Sequence, residues 1–596
     1  MNVKTINTEK NEYFSLLKEW CDRLRSLQVT QFKETELYGG IMCPSCGRIH
    51  GRCADAIYPM MFMADVTKED KYITCAKRLF TWSNNMLRKE GSYYNDTNSD
   101  WKGITVFFVI QLGETLLHHS SLLDKDIEKL WTDRLMINAD YLMEHIEKLS
   151  GNINYPVTCA YAMAVAGKIS GNYSYYEKGK ELAYKALGYF TEEWLLFGEG
   201  KAEGGFSPKM CRPVDIGYNV EESLPALLSY GIMMEDQRVK EAAVKALKSH
   251  LEFMLPDGGW DNSWGTRNNK WTYWGSRTSD GCQPGYGLLS DLYPEFGEAV
   301  KRNTRLMREC THDGLLYGGP MYDSAGEPAC VHHTFCHAKA LAALMDQGWS
   351  EETMDTGKVK LPSELRQGVL YYPSVHVHLI GKGPWRGTIS DYDVEYSEEG
   401  HGTGGALTLL WHESLGPVFT GTMGRYYLVE PNNMQFPRNS NTFCLTPRLE
   451  YVEDEILYRN INDKLAKVES EIQDGIIIVT AKGKMVDYRQ QGDYIYEMKY
   501  SFSEECFVVE TEAEKDSILY LPLIARSTDR ADAGSDEKSV TVFREQKGKL
   551  QLQSDELLTI EEERLFHPVG GLEAILCYIQ LKAGQSVKVE CRYFNE

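Results

Sequence analysis

From residue 12 to about 346 the apolar positions recur at helical spacing, as in Tyr13, Leu16, Leu17, Trp20 and Leu24, and clusters of Gly, Pro and Asn separate the segments. The pattern predicts twelve helices, at about 12–28, 54–65, 69–88, 103–120, 126–147, 155–170, 173–192, 217–233, 236–255, 281–292, 295–310 and 331–346. Connections after the even-numbered helices are short, whereas those after the odd-numbered ones are longer and rich in Gly, Asn and Trp. Six helical hairpins with all their long loops at one end predict an (α/α)6 toroid whose inner ring is the even-numbered set. Because long loops in a compact domain tend to carry function, the end formed by 29–53, 89–102, 148–154, 193–216, 256–280 and 311–330 is the expected active face.

After about residue 364 the period changes to two, as in Ile476-Ile477-Ile478-Val479-Thr480, Tyr494-Ile495-Tyr496 and Ser586-Val587-Lys588-Val589, with turn residues between the runs. The expectation is a multidomain α and β chain: a toroid catalytic domain over 1–350, then an antiparallel β-sandwich over 364–596. Trp349 to Pro362, charged and poor in large apolar residues, reads as the linker.

Composition narrows the function. With 42% hydrophobic and 25% charged residues over 596 positions the chain is globular, and Lys+Arg 64 against Asp+Glu 86 leaves a net charge of −22. That field repels phosphate backbones and anionic lipid, which argues against nucleic-acid or membrane partners. An acidic substrate would need cations gathered locally, since screening limits the global field to ~8 Å. The start of the chain lacks a charged-then-apolar pattern and no run of ~18 apolar residues occurs, so the expectation is a cytoplasmic protein. Fifteen cysteines scattered over both halves read as reduced, mostly buried thiols.

The loop from Gly258 to Asp280 is the densest candidate. It holds Trp260, Trp264, Trp271 and Trp274, four of the twelve tryptophans, together with Asp261, Arg267 and Arg277. Indole faces stack on sugar C–H surfaces and guanidinium forks bind carboxylates, so the combination suggests a pocket for an acidic sugar; the alternative is that the tryptophans seal the end of the toroid. Asp280 precedes the helix expected at 281–292 and serves either as an acid/base or as its N-cap. In Gly217-Tyr218-Asn219-Val220-Glu221-Glu222, Asn219 and Glu222 have capping-box spacing, whereas Glu221 lies near the apolar stripe of Leu224, Leu227 and Leu228. Glu221 is therefore the better general acid, the alternative being a first-turn acid favoured by the helix dipole.

His332, His333 and His337 open the last inner helix, with His333 and His337 at i,i+4. That is two-histidine metal spacing, but with no matched carboxylate nearby, sugar binding, proton transfer or a structural role are the stronger readings. Asn152, Asn154 and Tyr155 enter another inner helix, as do Asp96, Asn98, Asp100 and Trp101; turn formation explains the Asn and Asp residues equally well. Cys43, Cys46, His50 and Cys53 offer four soft ligands for a structural zinc, the alternative being free thiols in a Gly-rich loop. No phosphate-binding loop or nucleophile elbow occurs, and the expectation is that no cofactor is required, with a structural zinc as the one candidate metal.

Cys43 to Pro59, Asn152 to Tyr161, and the runs GYNVEESLPAL, DGGWDNSWGTRN and HHTFCHAKALA together resemble bacterial toroid proteins related to heparinase II/III. Within that set the chain resembles glycoside hydrolase family 154 over nearly its whole length, and the resemblance implies β-glucuronidase activity. Heparinase II/III-like lyases carry a His-x-His-x-Asp segment where this chain has His401-Gly-Thr-Gly-Gly, which matches only the first histidine and favours a hydrolase. His401 would complete the cleft from the sandwich side.

The reading from sequence is thus an exo-acting hydrolase releasing a terminal glucuronate from an oligosaccharide. Glu221 and Asp261 form its carboxyl pair, with Asp280 and His333 as further candidates. Trp101, Asn154, Tyr155, Tyr218, Asn219, Trp264, Arg267, Trp274, Arg277, His332 and His401 would bind the substrate. The alternatives are a polysaccharide lyase, with Tyr155 or Tyr218 abstracting the proton beside a uronate carboxylate, and a non-catalytic glycan-binding protein. An isologous homodimer is the expected assembly.

Overall fold

The computed structural model describes residues 11–95, 101–149, 151–200, 205–349, 359–396, 398–424 and 443–595. Its first half is helical: α1 (Glu12–Ser26), α2 (Ile57–Thr67), α3 (Asp70–Trp82), α4 (Thr105–His119), α5 (Lys125–His145), α6 (Asn154–Ser170), α7 (Tyr173–Ala186), α8 (216–233), α9 (Gln237–Leu251), α10 (Gln283–Gly287), α11 (Pro294–Glu309) and α12 (Val331–Asp346). The odd helices are amphipathic. In α1, for example, the Asn11 side chain caps Phe14 N at 3.0 Å and Leu16, Leu17, Trp20 and Leu24 are buried. The even helices are apolar on nearly all sides, as in α2, where every residue from Ile57 to Ala64 is buried.

That difference sorts the helices into two layers. Around the inner layer α2 contacts α4, α4 contacts α6, α6 contacts α8, α8 contacts α10, α10 contacts α12, and α12 returns to α2. The outermost turns of the chain meet where α1 packs on α12, so the helices close on themselves. Short connections turn on left-handed residues, Lys68 (φ 58°) after α2 and Gly171 (φ 71°) after α6.

Two inner helices differ from the periodicity. The helix expected over 281–292 is the single turn of α10, because Pro284, Gly285 and Gly287 offer little helix propensity and the chain turns at Leu288. Helix α8 runs from Ile216–Tyr218 through a π-turn at Asn219–Ser223 into Leu224–Met233.

From Gly368 onward the chain is antiparallel sheet. Gly368–Tyr372, Val377–Lys382, Trp385–Ser390, Ala406–His412 and Gly416–Thr420 form a five-stranded meander, and an eight-stranded and a second five-stranded sheet follow. Ile380 and Trp385, Val479 and Tyr500, and Leu519 and Ile575, one pair from each sheet, share one apolar core. The two halves are joined at the long-loop end. Gly570 N donates to Trp271 O (2.9 Å), Tyr273 N donates to Gly570 O (3.3 Å), and Met321 N donates to Gly571 O (3.0 Å). Gly570 (φ 84°) and Gly571 (φ 69°) need the left-handed region, and a Cβ on Gly571 would meet Gly319 Cα at 2.5 Å. Most of the linker and the chain's start lie outside the described residues. Among the described residues no helix is long and apolar enough to cross a membrane.

Candidate active site

The inner helices α6 and α8 begin at the long-loop end, and their first residues build the site. Asp215 caps α8 by accepting from Tyr218 N (3.0 Å), and its other oxygen accepts from Asn262 Nδ2 (2.9 Å) and Arg267 N (2.8 Å). One carboxylate thereby ties the tryptophan-rich loop to the mouth of α8. Arg267 then lies on Tyr218, its guanidinium carbon 4.0 Å from the ring centroid, and bonds Glu199 at 2.6 Å.

From there a polar circuit runs through buried groups. Glu199 accepts from Asn154 N (3.3 Å), and Asn154 Nδ2 donates to Glu222 Oε2 (2.6 Å). Arg52 Nη1 lies 3.6 Å from Glu222 Oε1 and donates to Thr278 O at 2.7 Å, and the Thr278 hydroxyl bonds the Tyr218 phenol. The ring of contacts closes on Tyr218. Lys270 Nζ reaches the same Thr278 hydroxyl at 3.5 Å and lies 5.9 Å from the Tyr218 ring. Across the hairpin of Trp271–Thr272 and Gly275–Ser276, Arg277 N donates to Lys270 O (2.9 Å), which sets Lys270 and Arg277 opposite each other. The Arg277 guanidinium is buried, makes no hydrogen bond among the described residues, and lies 5.8 Å from the Tyr322 ring.

Charge in the circuit is balanced locally. Burial pushes the Glu199 carboxyl up against the pull of Arg267, and burial with the neighbouring Asp280 charge pushes Glu222 up. Burial works to raise Asp280 too, but Lys339 (2.7 Å) and Arg52 (2.6 Å) outweigh it and hold that carboxyl below its ordinary value. Burial, with Arg52 for His332 and Arg277 for His333, lowers both imidazoles.

Half-buried side chains form the rim. Trp101 Nε1 donates to the Tyr155 hydroxyl (2.7 Å), and Tyr396, from the loop after strand Trp385–Ser390, lies 5.6 Å from the Arg267 guanidinium. Both ring nitrogens of His401 face backbone carbonyls, Val394 O at 2.8 Å and Gly402 O at 3.4 Å, so this histidine braces the Tyr396 loop.

The structure separates the expected residues into groups. Tyr218, Asn154 and Arg267 come together in the circuit, with Trp101 and Tyr155 at its rim. Asp280 pairs with Arg52 and Lys339 and does not cap a helix, since α10 begins beyond it. Trp264 and Trp274 are fully buried, against Phe253 and Tyr392 and against His333 and His337, and present no face to a sugar. Glu221 accepts from Ser276 N (2.8 Å), the Ser279 hydroxyl and His337 (3.3 Å), and Asp261 from the Ser263 (2.7 Å) and Thr388 (2.5 Å) hydroxyls, so both are hydrogen-bond hubs of the loop. Burial also raises the Asp261 carboxyl.

Asn219 donates to Leu196 O (2.8 Å) and faces His250, with no capping box to Glu222. His332 stacks on Phe335, 5.5 Å from the His50 ring. Cys43, Cys46 and His50 gather with Cys330, whereas Cys53 lies outside that group in the turn Gly51–Ala56. Asp96, Asn98 and Asp100 lie outside the described residues. Sequence reasoning passed over Arg52, Glu199, Lys270, Thr278 and Tyr396. Arg52 and Lys270 had a usable signal, being basic residues inside segments already singled out.

A closed layer of helices backed by antiparallel sheets is a fold shared with solved structures that include heparinase III and a chondroitin AC lyase. Heparinase III covers 100% of this chain and 86% of its own length at 10% identity and a TM-score of 0.57. The chondroitin AC lyase of Streptomyces coelicolor A3 covers 98% and 79% at 10% identity and a TM-score of 0.56. The chain belongs to the ulvan lyase family: the ulvan lyase N-terminal domain matches residues 17–364 and its C-terminal domain residues 369–594. A broad-specificity ulvan lyase of Formosa agariphila is 38% identical over 584 residues, 95% of this chain and 91% of that one. This membership overturns the family 154 resemblance, the β-glucuronidase activity and the hydrolase class expected from sequence; the enzyme is a polysaccharide lyase. The missing second histidine and aspartate after His401 therefore do not mark a hydrolase.

Proposed function

We propose that this protein cleaves ulvan, or a closely related uronate-containing polysaccharide, by β-elimination. The site would lie at the long-loop end of an (α/α)6 toroid, with a β-sandwich closing over it through Tyr396. Elimination needs three things: neutralisation of the uronate carboxylate so that the adjacent proton becomes acidic, a base for that proton, and an acid for the leaving oxygen. The reading is carried by Tyr218, a phenol with a guanidinium at 4.0 Å and an ammonium at 5.9 Å from its ring. Tyr218 transfers the proton, and Arg267 and Lys270 supply positive charge where the carboxylate and enolate bear negative charge. Arg277, fully buried opposite Lys270, adds positive charge behind it. These local cations offset the net charge of −22 within the screening distance of ~8 Å.

The test is incubation with ulvan, following ultraviolet absorbance of the conjugated double bond and the product masses. Unsaturated ends, with masses that sum to the substrate, support the reading. Products carrying an added water would end it.

A further inference from the structure

We propose that Cys43, Cys46, His50 and Cys330 bind one structural zinc ion that clips the α1–α2 loop to the start of α12. The proposal does not depend on the substrate or on the proton-transfer assignment.

The four ligand atoms already stand close enough together to share one metal ion. Cys43 Sγ and Cys46 Sγ lie 3.7 and 3.9 Å from Cys330 Sγ, His50 Nε2 lies 3.4 Å from Cys330 Sγ, and all four atoms fall within 4.8 Å of one another. Tetrahedral zinc with Zn–S of about 2.3 Å and Zn–N of about 2.05 Å requires S···S edges near 3.8 Å and S···N edges near 3.6 Å. A disulfide between Cys43 and Cys330 would instead need sulfurs about 2.05 Å apart, and it would leave Cys46 and His50 without a purpose in the cluster.

The backbone is shaped for the same task. Residues Met42 and Ile49 pair as a β-bridge, Cys43 N donates to Arg48 O (2.9 Å), and Gly47 N donates to Cys43 O (3.0 Å) with Gly47 at φ 65°. This tight knuckle turns Cys46 N onto Cys43 Sγ at 3.4 Å, a bond that favours thiolate sulfur. Cys43, His50 and Cys330 are at most 2% exposed, so three soft ligands are shielded from solvent and Cys46 closes the outer face. Binding would release three thiol protons to solvent and leave the imidazole neutral.

The clip would join segments about as far apart as the helical half allows. Cys330 is the residue preceding α12, whose first turn carries His332 and His333. His50 precedes the turn Gly51–Ala56, which carries Arg52 into contact with Thr278, Asp280 and Glu222. A zinc here would fix two walls of the site against each other without touching substrate.

The test is metal analysis of the full chain purified reduced and without chelator, with X-ray absorption at the zinc edge. About one zinc per chain with three sulfur and one nitrogen ligand is expected. Cys330→Ser and Cys43→Ser should lose most of it, whereas Cys53→Ser should retain it. A strong chelator should lower the thermal midpoint of the wild-type chain, which gives a readout even where a cysteine variant fails to fold. Less than about a fifth of an equivalent of zinc in reduced protein, a chelator-insensitive midpoint, or a Cys43–Cys330 disulfide found by mass spectrometry would each overturn the proposal.

Discussion

Arg267 holds two partners at once: its guanidinium carbon rests 4.0 Å from the Tyr218 ring centroid while Nη1 bonds Glu199 at 2.6 Å. The same side chain that presents positive charge to the phenol is kept in place by a buried acid. Reactivity and stability at this point are separable only by choosing substitutions that treat the two partners differently.

Tyr218→Phe removes the phenol and its bond to Thr278 but keeps the ring against Arg267. Turnover on ulvan, read from the ultraviolet signal, should fall about 10²- to 10⁴-fold, the range of general acid–base catalysis. The thermal midpoint should move by only a few degrees. Turnover within threefold of wild type would remove Tyr218 from the chemistry.

Arg267→Ala leaves Glu199 buried with its main charge partner gone, and breaking such a pair costs about 3–5 kcal/mol. Adding Glu199→Gln should recover part of the thermal midpoint and none of the activity. If the double variant recovered turnover as well, Arg267 would be a structural residue only.

Glu221→Gln tests the opposite case. The carboxylate accepts from Ser276 N, Ser279 and His337, and an amide in its place satisfies fewer of them, at about 1–3 kcal/mol. Stability should fall while turnover per folded molecule stays within about tenfold. A thousandfold loss in a stable variant would return Glu221 to the mechanism.

The part of the stability that rests on neutral buried histidines should be lost on acidification. Burial holds His250 down to about 4, with Nδ1 bonded to Ala246 O and Nε2 facing Asn219. Its unfolded-state value is about 6.5, so the unfolded chain binds the proton that the native site refuses. The contribution, up to about 3 kcal/mol, is full above pH ~6.5 and is lost as pH falls toward 4. His378 and His412, also held to about 4 by burial, act in the same direction. The buried carboxyls Glu199, Glu222 and Asp261, held up by burial, act in the opposite direction. The readout is therefore the difference between chains: across this window the midpoint of His250→Gln should fall less steeply than that of the wild type while lying lower at neutral pH.

The helical layers were legible because loop length alternates along the chain and reports inner or outer position; the burial of α1 on one face and of α2 on nearly all sides agrees with it. Helix α10 was not, since Pro284, Gly285 and Gly287 break a stretch whose apolar spacing still reads as helix. The helical pattern singled out Glu221 beside the apolar stripe and left Glu222 to a capping box, whereas the π-turn buries both Glu221 and Glu222. The four loop tryptophans illustrate a different limit: composition records that a loop is aromatic, but only packing records what the rings face. Cys330 lay far along the chain from the ligands it joins, and local spacing offered Cys53 in its place. Hydrolase and lyase readings call on the same arginine, tyrosine and histidine types, so residue identity did not divide them; similarity over most of the chain did.

The strand-like seating of Gly570 on Trp271 and Tyr273 bears on the order in which this enzyme matures. The helices leave the ribosome first and can close on themselves, but the hairpin bearing Lys270 and Arg277 lacks its neighbour until nearly the whole chain has been made. A chain stopped short of residue 570 would leave that hairpin without the backbone partner that Gly570 supplies. The geometry of the loop that carries Lys270 and Arg277 is thus set in part by backbone about three hundred residues further along the chain.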